Sequence, residues 1–237
     1  MKEKVALVTG ATRGIGKAIA ERLAQEGMCL ALNGRNEENL KKVAEELKGK
    51  TEVFISPGDL SEREVPEQVV REAVAHFGGL DVLINNAGVA LSRSLEETTL
   101  EEWEYQMAVN ARAPFLLCRA ALPYLRRSSV PTIINISSVV GSKGYVHQGA
   151  YTASKHALMG FTKVLARELH GEGIRVHVIS PGGVATDLVA TMRPDIPPET
   201  LIAPEEIAEI VWFLLTHRGN AVIDEINVRR ISNEPWR

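Results

Sequence analysis

The sequence predicts an α/β fold: one domain over residues 1–237, built as a doubly wound, seven-stranded parallel sheet with helices on both faces. Three observations carry this. Seven short apolar runs rich in β-branched residues stand at 5–8, 29–32, 53–55, 82–84, 133–136, 176–179 and 222–228. Each is long enough for a strand and too short for a helix. Helical patterns separate them, and that alternation requires parallel strands joined by crossover helices. A glycine-rich turn links the first run to the first helical pattern, the place where such sheets bind ligands.

The elements follow in order. After the first strand, Ile15, Ala18, Ile19 and Leu23 recur at spacings of three and four, which puts one apolar face against a sheet. The second strand leads to Leu40, Val43, Ala44 and Leu47, and the third to Val69, Val70, Ala73, Val74 and Phe77. Ahead of that third helix, Ser61 and Glu64 have the spacing of a capping box. Pro66 follows them, so the helix is expected to be kinked or to start late. Past the sixth strand comes the Pro-rich segment RPDIPPETLIAP (193–204), then a last helix over 205–216. The segment at about 188–203 is the candidate substrate loop.

A chain of 237 residues with 45% hydrophobic content can bury a core of this size and remain one unit. Its net charge of −3, with both signs interspersed, gives no electrostatic footprint for nucleic acid or anionic lipid. A small molecule is the expected partner. Cys29 and Cys118 both stand in apolar runs, which predicts reduced, buried thiols and a reducing compartment; no metal site is expected. No stretch approaches the roughly 18 apolar residues of a membrane span, so a cytoplasmic protein is expected.

The turn at 9–16 reads TGATRGIG. Its glycines allow close backbone approach to a pyrophosphate, and the helix start supplies N–H groups and a dipole of the right sign. The second strand ends Asn33-Gly34-Arg35, without the carboxylate that holds a ribose 2′-hydroxyl in NAD-binding chains. Arg13 and Arg35 instead offer two permanent cations suited to a 2′-phosphate, and NADP(H) is the expected cofactor. Further on, Tyr151 and Lys155 lie four apart, on one face of a helix starting near Tyr151. An adjacent ammonium is expected to bring the phenol's pKa down toward the operating range. Ser138, just past the fifth strand, stands at the carboxyl edge of the sheet, where its hydroxyl can share a substrate oxygen with Tyr151.

These motifs, in this order, resemble the short-chain dehydrogenase/reductase family of standard length, whose fold is a Rossmann-type sheet. The resemblance spans residues 4–216 and adds Asp59-Leu60, the NNAG run at 85–88, Asn110, the YTASK run at 151–155 and PGGVAT at 181–186. It implies a phosphate cradle of Gly10, Thr12, Arg13, Gly14, Ile15 and Gly16. Asp59, Leu60, Asn86, Ala87 and Gly88 would border the adenosine, and Pro181, Gly182, Val184 and Thr186 the nicotinamide. Ser138, Tyr151, Lys155 and Asn110 would be catalytic. Asn110 would sit at a helix irregularity and hold a relay water, and Lys155 would also bind the nicotinamide ribose.

The resemblance further implies a homo-oligomer, with a tetramer favoured, in which the helices after Asn110 and from Tyr151 pair through Phe115, Leu116, Leu122, Leu158, Phe161 and Leu165. Ser92, Arg93 and Ser94, then Tyr145, His147 and Gln148, and residues 184–193 should face the substrate. The first reading is NADP(H)-dependent hydride transfer to or from a small carbonyl/alcohol pair. Two alternatives stay open: a 3-oxoacyl-acyl-carrier-protein reductase, whose basic contacts would be Arg126, Arg127 and Arg167, and a non-catalytic dinucleotide sensor. The family's glycine-rich C-terminal turn is replaced here by NAVIDEINVRR and ISNEPWR, a tail that resembles those of small NADP-dependent hydroxy-acid dehydrogenases and carbonyl reductases of the same family.

Overall fold

Along β1 (Val5–Thr9) side chains alternate between two cores: Val5 and Leu7 face one side of the sheet, Ala6 and Val8 the other. Burial on both faces is why this strand is a continuous apolar run. The same alternation recurs in β4 (Val82–Asn85), where Leu83 points opposite to Val82 and Ile84. Each such side chain taken fully out of water contributes about 1.5–3 kcal/mol. The computed structural model describes residues 1–235; Trp236 and Arg237, the end of the atypical tail, lie outside the described residues.

The remaining strands are β2 (Cys29–Gly34), β3 (Val53–Pro57), β5 (Thr132–Ile136), β6 (Arg175–Pro181) and β7 (Glu225–Val228). All seven are parallel, in the order β3-β2-β1-β4-β5-β6-β7. Helices α1 (Gly14–Gln25), α2 (Glu37–Glu46) and α8 (Pro204–Thr216) contribute to the core on one face; α3 (Val65–Phe77), α5 (Ala113–Leu125) and α6 (Gly149–Leu169) contribute to the other. Strand order reverses between β1 and β4, opening a crevice at the strands' carboxyl ends.

Several expectations are corrected. The capping box at Ser61 and Glu64 does not form. The Ser61 N–H bonds Asp59 Oδ1 at 2.8 Å, and α3 starts late with Pro66 in its first turn, where no helical N–H is needed. The last strand begins at Glu225 rather than 222, because the Ile223 carbonyl turns to the His177 ring at 2.6 Å. Leu158 and Leu165 are buried within the subunit, whereas Phe115 is exposed. Cys118 is buried, while Cys29 is only partly so; both are free thiols. α4 (Leu100–Met107) shows no apolar periodicity, but Thr99 and Glu102 form a complete capping box at its start.

A π-helical turn over Ala108–Arg112 joins α4 to α5 and contains Asn110, the expected irregularity. A shorter α7 (Asp187–Met192) opens the segment after β6, and this segment returns to the sheet when the Ile202 N–H bonds the Gly183 carbonyl at 3.0 Å. No helix among the described residues is long and apolar enough to cross a membrane, and no group of side chains there could hold a metal ion.

Candidate active site

A cleft of about 470 Å³ occupies the crevice. One wall is the turn into α1. Arg13 is the N-cap there without making a side-chain cap bond, and no acidic residue stands in the first turn. The helix dipole and its first N–H groups therefore meet the cleft unneutralised, an arrangement suited to an anion. A Cβ on Gly16 would lie 2.2 Å from the Gly10 carbonyl oxygen and 2.4 Å from Asn86 Nδ2, so only glycine lets the turn close. Asn86 locks that closure: its Nδ2 donates to the Thr9 carbonyl at 2.9 Å, and Thr9 Oγ1 accepts the N–H groups of Asn86 and Ala87, each at 3.0 Å.

Two arginines stand at the rim. Arg13 Nη1 is 2.7 Å from Asp187 Oδ2, and Arg35 Nη1 donates to Tyr105 Oη at 2.6 Å and lies 3.9 Å from Asp59. Each guanidinium carries five N–H groups, so both retain donors for a ligand.

Deeper in, Lys155 is 3% exposed and donates to the Ile136 carbonyl at 2.9 Å, with its Nζ 6.0 Å from the centre of the Tyr151 ring. Burial lowers its pKa to about 8, and the ammonium persists at neutral pH. Burial pushes the Tyr151 phenol up, and an interaction with the Ser138 hydroxyl offsets part of that. The expected lowering by the ammonium is overturned, because desolvation dominates and the ammonium is turned to a carbonyl. Tyr151 consequently holds its proton at neutral pH.

Asn110 is fully buried. Its Oδ1 accepts from the Val89 N–H at 2.8 Å, and its Nδ2 donates to the Val89 carbonyl at 2.7 Å and to Ser154 Oγ at 2.9 Å. The side chain thus ties the loop after β4 to α6.

The short chain dehydrogenase family model matches residues 4–197. The chain belongs to the short-chain dehydrogenase family. It is 36% identical to an uncharacterised oxidoreductase of Staphylococcus aureus over 231 residues, covering 98% of this chain and 99% of that one. Among solved structures, it superposes with a TM-score of 0.90 on an alcohol dehydrogenase of the archaeon Thermococcus sibiricus complexed with 5-hydroxy-NADP, at 32% identity and 99% coverage of both chains. A metagenomic short-chain oxidoreductase in complex with NADP matches with a TM-score of 0.84 and 35% identity, covering 97% of this chain and 98% of that one.

In this short-chain dehydrogenase, the residues expected at the cofactor and catalytic positions line the cleft, save Gly16 and Asn110, which stand behind its wall. Of the expected specificity residues, Tyr145, Gln148 and Arg193 line it, while Ser92, Arg93, Ser94 and His147 do not. The Arg93 backbone N–H bonds the His147 carbonyl at 2.8 Å, and the Arg93 guanidinium pairs with Glu102 at 3.3 Å. Arg126, expected as a carrier-protein contact, is held by Glu172 at 2.6 and 3.1 Å. Sequence reasoning missed Tyr105, Arg230 and Asn233. Tyr105 lies on the helix without apolar periodicity, and the other two follow the last strand, where no motif pointed.

Proposed function

We propose that the chain, as one dinucleotide-binding and catalytic unit over residues 1–237, is an NADP(H)-dependent oxidoreductase acting on a small carbonyl/secondary alcohol pair. The observation that carries this reading is that Ser138, Tyr151 and the buried Lys155 line the same cleft as Arg13 and Arg35. Relatives solved with NADP and 5-hydroxy-NADP support the cofactor, and the absence of a carboxylate at Gly34 agrees with it. When bound, the dinucleotide supplies or accepts the hydride.

The chain's own groups handle the rest. The uncapped start of α1 holds the pyrophosphate, and Arg13 and Arg35 hold the 2′-phosphate. Ser138 and Tyr151 both bond the substrate oxygen, and Tyr151, protonated at neutral pH, gives its proton as negative charge develops there. Lys155 keeps a positive charge behind the phenol and binds the nicotinamide ribose. Asn110 positions α6 through Ser154, and the π-helical turn around it offers backbone carbonyls for a relay water. The segment 188–203 forms the substrate loop. Two free thiols suit the cytoplasm, and exposed Phe115 and Val164 on α5 and α6 favour an assembly of copies, a tetramer by family resemblance.

Oxidation of NADPH with a panel of small oxo acids, their esters, diketones, aldehydes and 3-oxoacyl thioesters tests the reading, with Tyr151→Phe beside the wild type. Turnover that collapses about 10²–10⁴-fold in the variant is expected. Turnover that survives the substitution, or none at all with NADPH bound, would sink the reading.

A further inference from the structure

We infer that the substrate carries an anionic group, a carboxylate beside or near the reacting carbonyl, and that Arg230 from the C-terminal tail binds it. This rests on the proposed oxidoreductase reading and names the substrate class of the same cleft.

After β7 the chain does not leave the site. The Gly182 N–H bonds the Val228 carbonyl at 2.7 Å, and Arg229 turns away to clamp the tail, its Nη1 donating to the carbonyls of Arg230, Ile231 and Asn233 at 3.2, 3.4 and 2.8 Å. That clamp leaves Arg230 and Asn233 lining the cleft. Arg230 lies over Gly183, where an ideal Cβ would sit 3.4 Å from Arg230 Cδ and 3.0 Å from Leu201 Cδ2; the missing side chain leaves the guanidinium its room.

The hydrogen-bond partner of Arg230 is a neutral hydroxyl, Thr200 Oγ1 at 3.0 Å, and among the described residues no carboxylate lies within ion-pair distance of it. The nearby carboxylate, Asp195, is taken by both arms of Arg193 at 2.8 and 2.7 Å. Asp195 thus balances Arg193, and Arg230 keeps its positive charge with no carboxylate partner among the described residues. Gln148 adds a neutral group: it is 7% exposed, lines the cleft, and its side-chain amide makes no hydrogen bond among the described residues. A half-buried guanidinium with free donors, in a cleft that also holds an unspent amide, matches a planar carboxylate.

The test is reduction by NADPH of three acid and ester pairs: pyruvate, acetoacetate and levulinate against their methyl esters, with wild type, Arg230→Met and Arg230→Lys. The expected result is that wild type prefers at least one acid over its ester by tenfold or more in kcat/KM. Arg230→Met erases that ratio and Arg230→Lys keeps part of it. A charge-assisted bond to carboxylate supports roughly a ten- to hundredfold change. Esters reduced as well as acids by the wild type, or an acid preference that survives in Arg230→Met, overturns the inference and leaves the oxidoreductase reading standing. If no member of any pair is reduced while NADPH fluorescence shows binding, the inference falls; the oxidoreductase reading falls with it only if the aldehydes, diketones and 3-oxoacyl thioesters are also left unreduced.

Discussion

Arg13 and Asp187 meet across the mouth of the cleft at 2.7 Å, joining the phosphate turn to the first residue of α7. Both side chains are about 70% exposed (69% and 71%), so the pair itself is worth at most about 1 kcal/mol. Asp187 nevertheless competes with an incoming phosphate for the same guanidinium. Asp187→Asn should therefore tighten NADPH binding about two- to fivefold, measured by fluorescence titration. Weaker binding in the variant would mean that Asp187 supports the dinucleotide rather than competing with it.

Arg35 stands at the other end of that rim, with its guanidinium braced by Tyr105. Replacing it with Ala should raise the KM for NADPH roughly ten- to hundredfold and change the KM for NADH little. Equal effects on the two would remove the 2′-phosphate role. Tyr105→Phe, which keeps the ring and drops the brace, should give a smaller loss of the same kind.

The pH dependence of carbonyl reduction follows from Lys155. Its pKa is lowered to about 8 by burial, so the ammonium behind Tyr151 is present below that value and lost above it. With Tyr151 pushed up and protonated over the same range, kcat/KM for reduction should be flat from pH 6 to 7 and fall through an apparent pKa near 8. A profile that stays level to pH 10 would show that the ammonium is dispensable.

Stability on the acid side should depend on His177, in the middle of β6. The residue is 2% exposed, its Nδ1 lies 2.6 Å from the Ile223 carbonyl, and its Nε2 has no hydrogen-bond partner among the described residues. Burial lowers its pKa, and Arg175 and Arg218 add repulsion to the charged form. The unfolded chain therefore takes up a proton near pH 6.5 while the folded one does not. Stability contributed by neutral His177 is complete above that pH and declines as pH falls through it, levelling once the folded state also protonates. The slope is at most about 1.4 kcal/mol per pH unit. Urea unfolding at pH 7.5, 6.5 and 5.5 should show this slope in the wild type and a shallower one in His177→Phe. Identical slopes would assign the acid sensitivity to other groups.

The strands, the phosphate turn and the Tyr151 and Lys155 spacing were legible in the chain because each is local. Period-two and period-3.6 burial is written in neighbouring residues, and a glycine needed for close approach or a pair at i,i+4 is fixed by the backbone itself. The reading failed where the deciding partner is distant in sequence. Ser61 was drawn to Asp59 instead of capping α3, and Ile223 left the ladder for His177. Tyr151 lies four residues from an ammonium, yet its phenol rises, because desolvation by walls drawn from several elements outweighs one neighbouring charge. Arg230 shows the same division. Sequence alone determined that a cation follows the last strand; only the folded sheet decided that this cation faces the cleft. β7 lies beside β6, the Val228 carbonyl meets the Gly182 N–H, and the Arg229 clamp turns the tail back across Gly183.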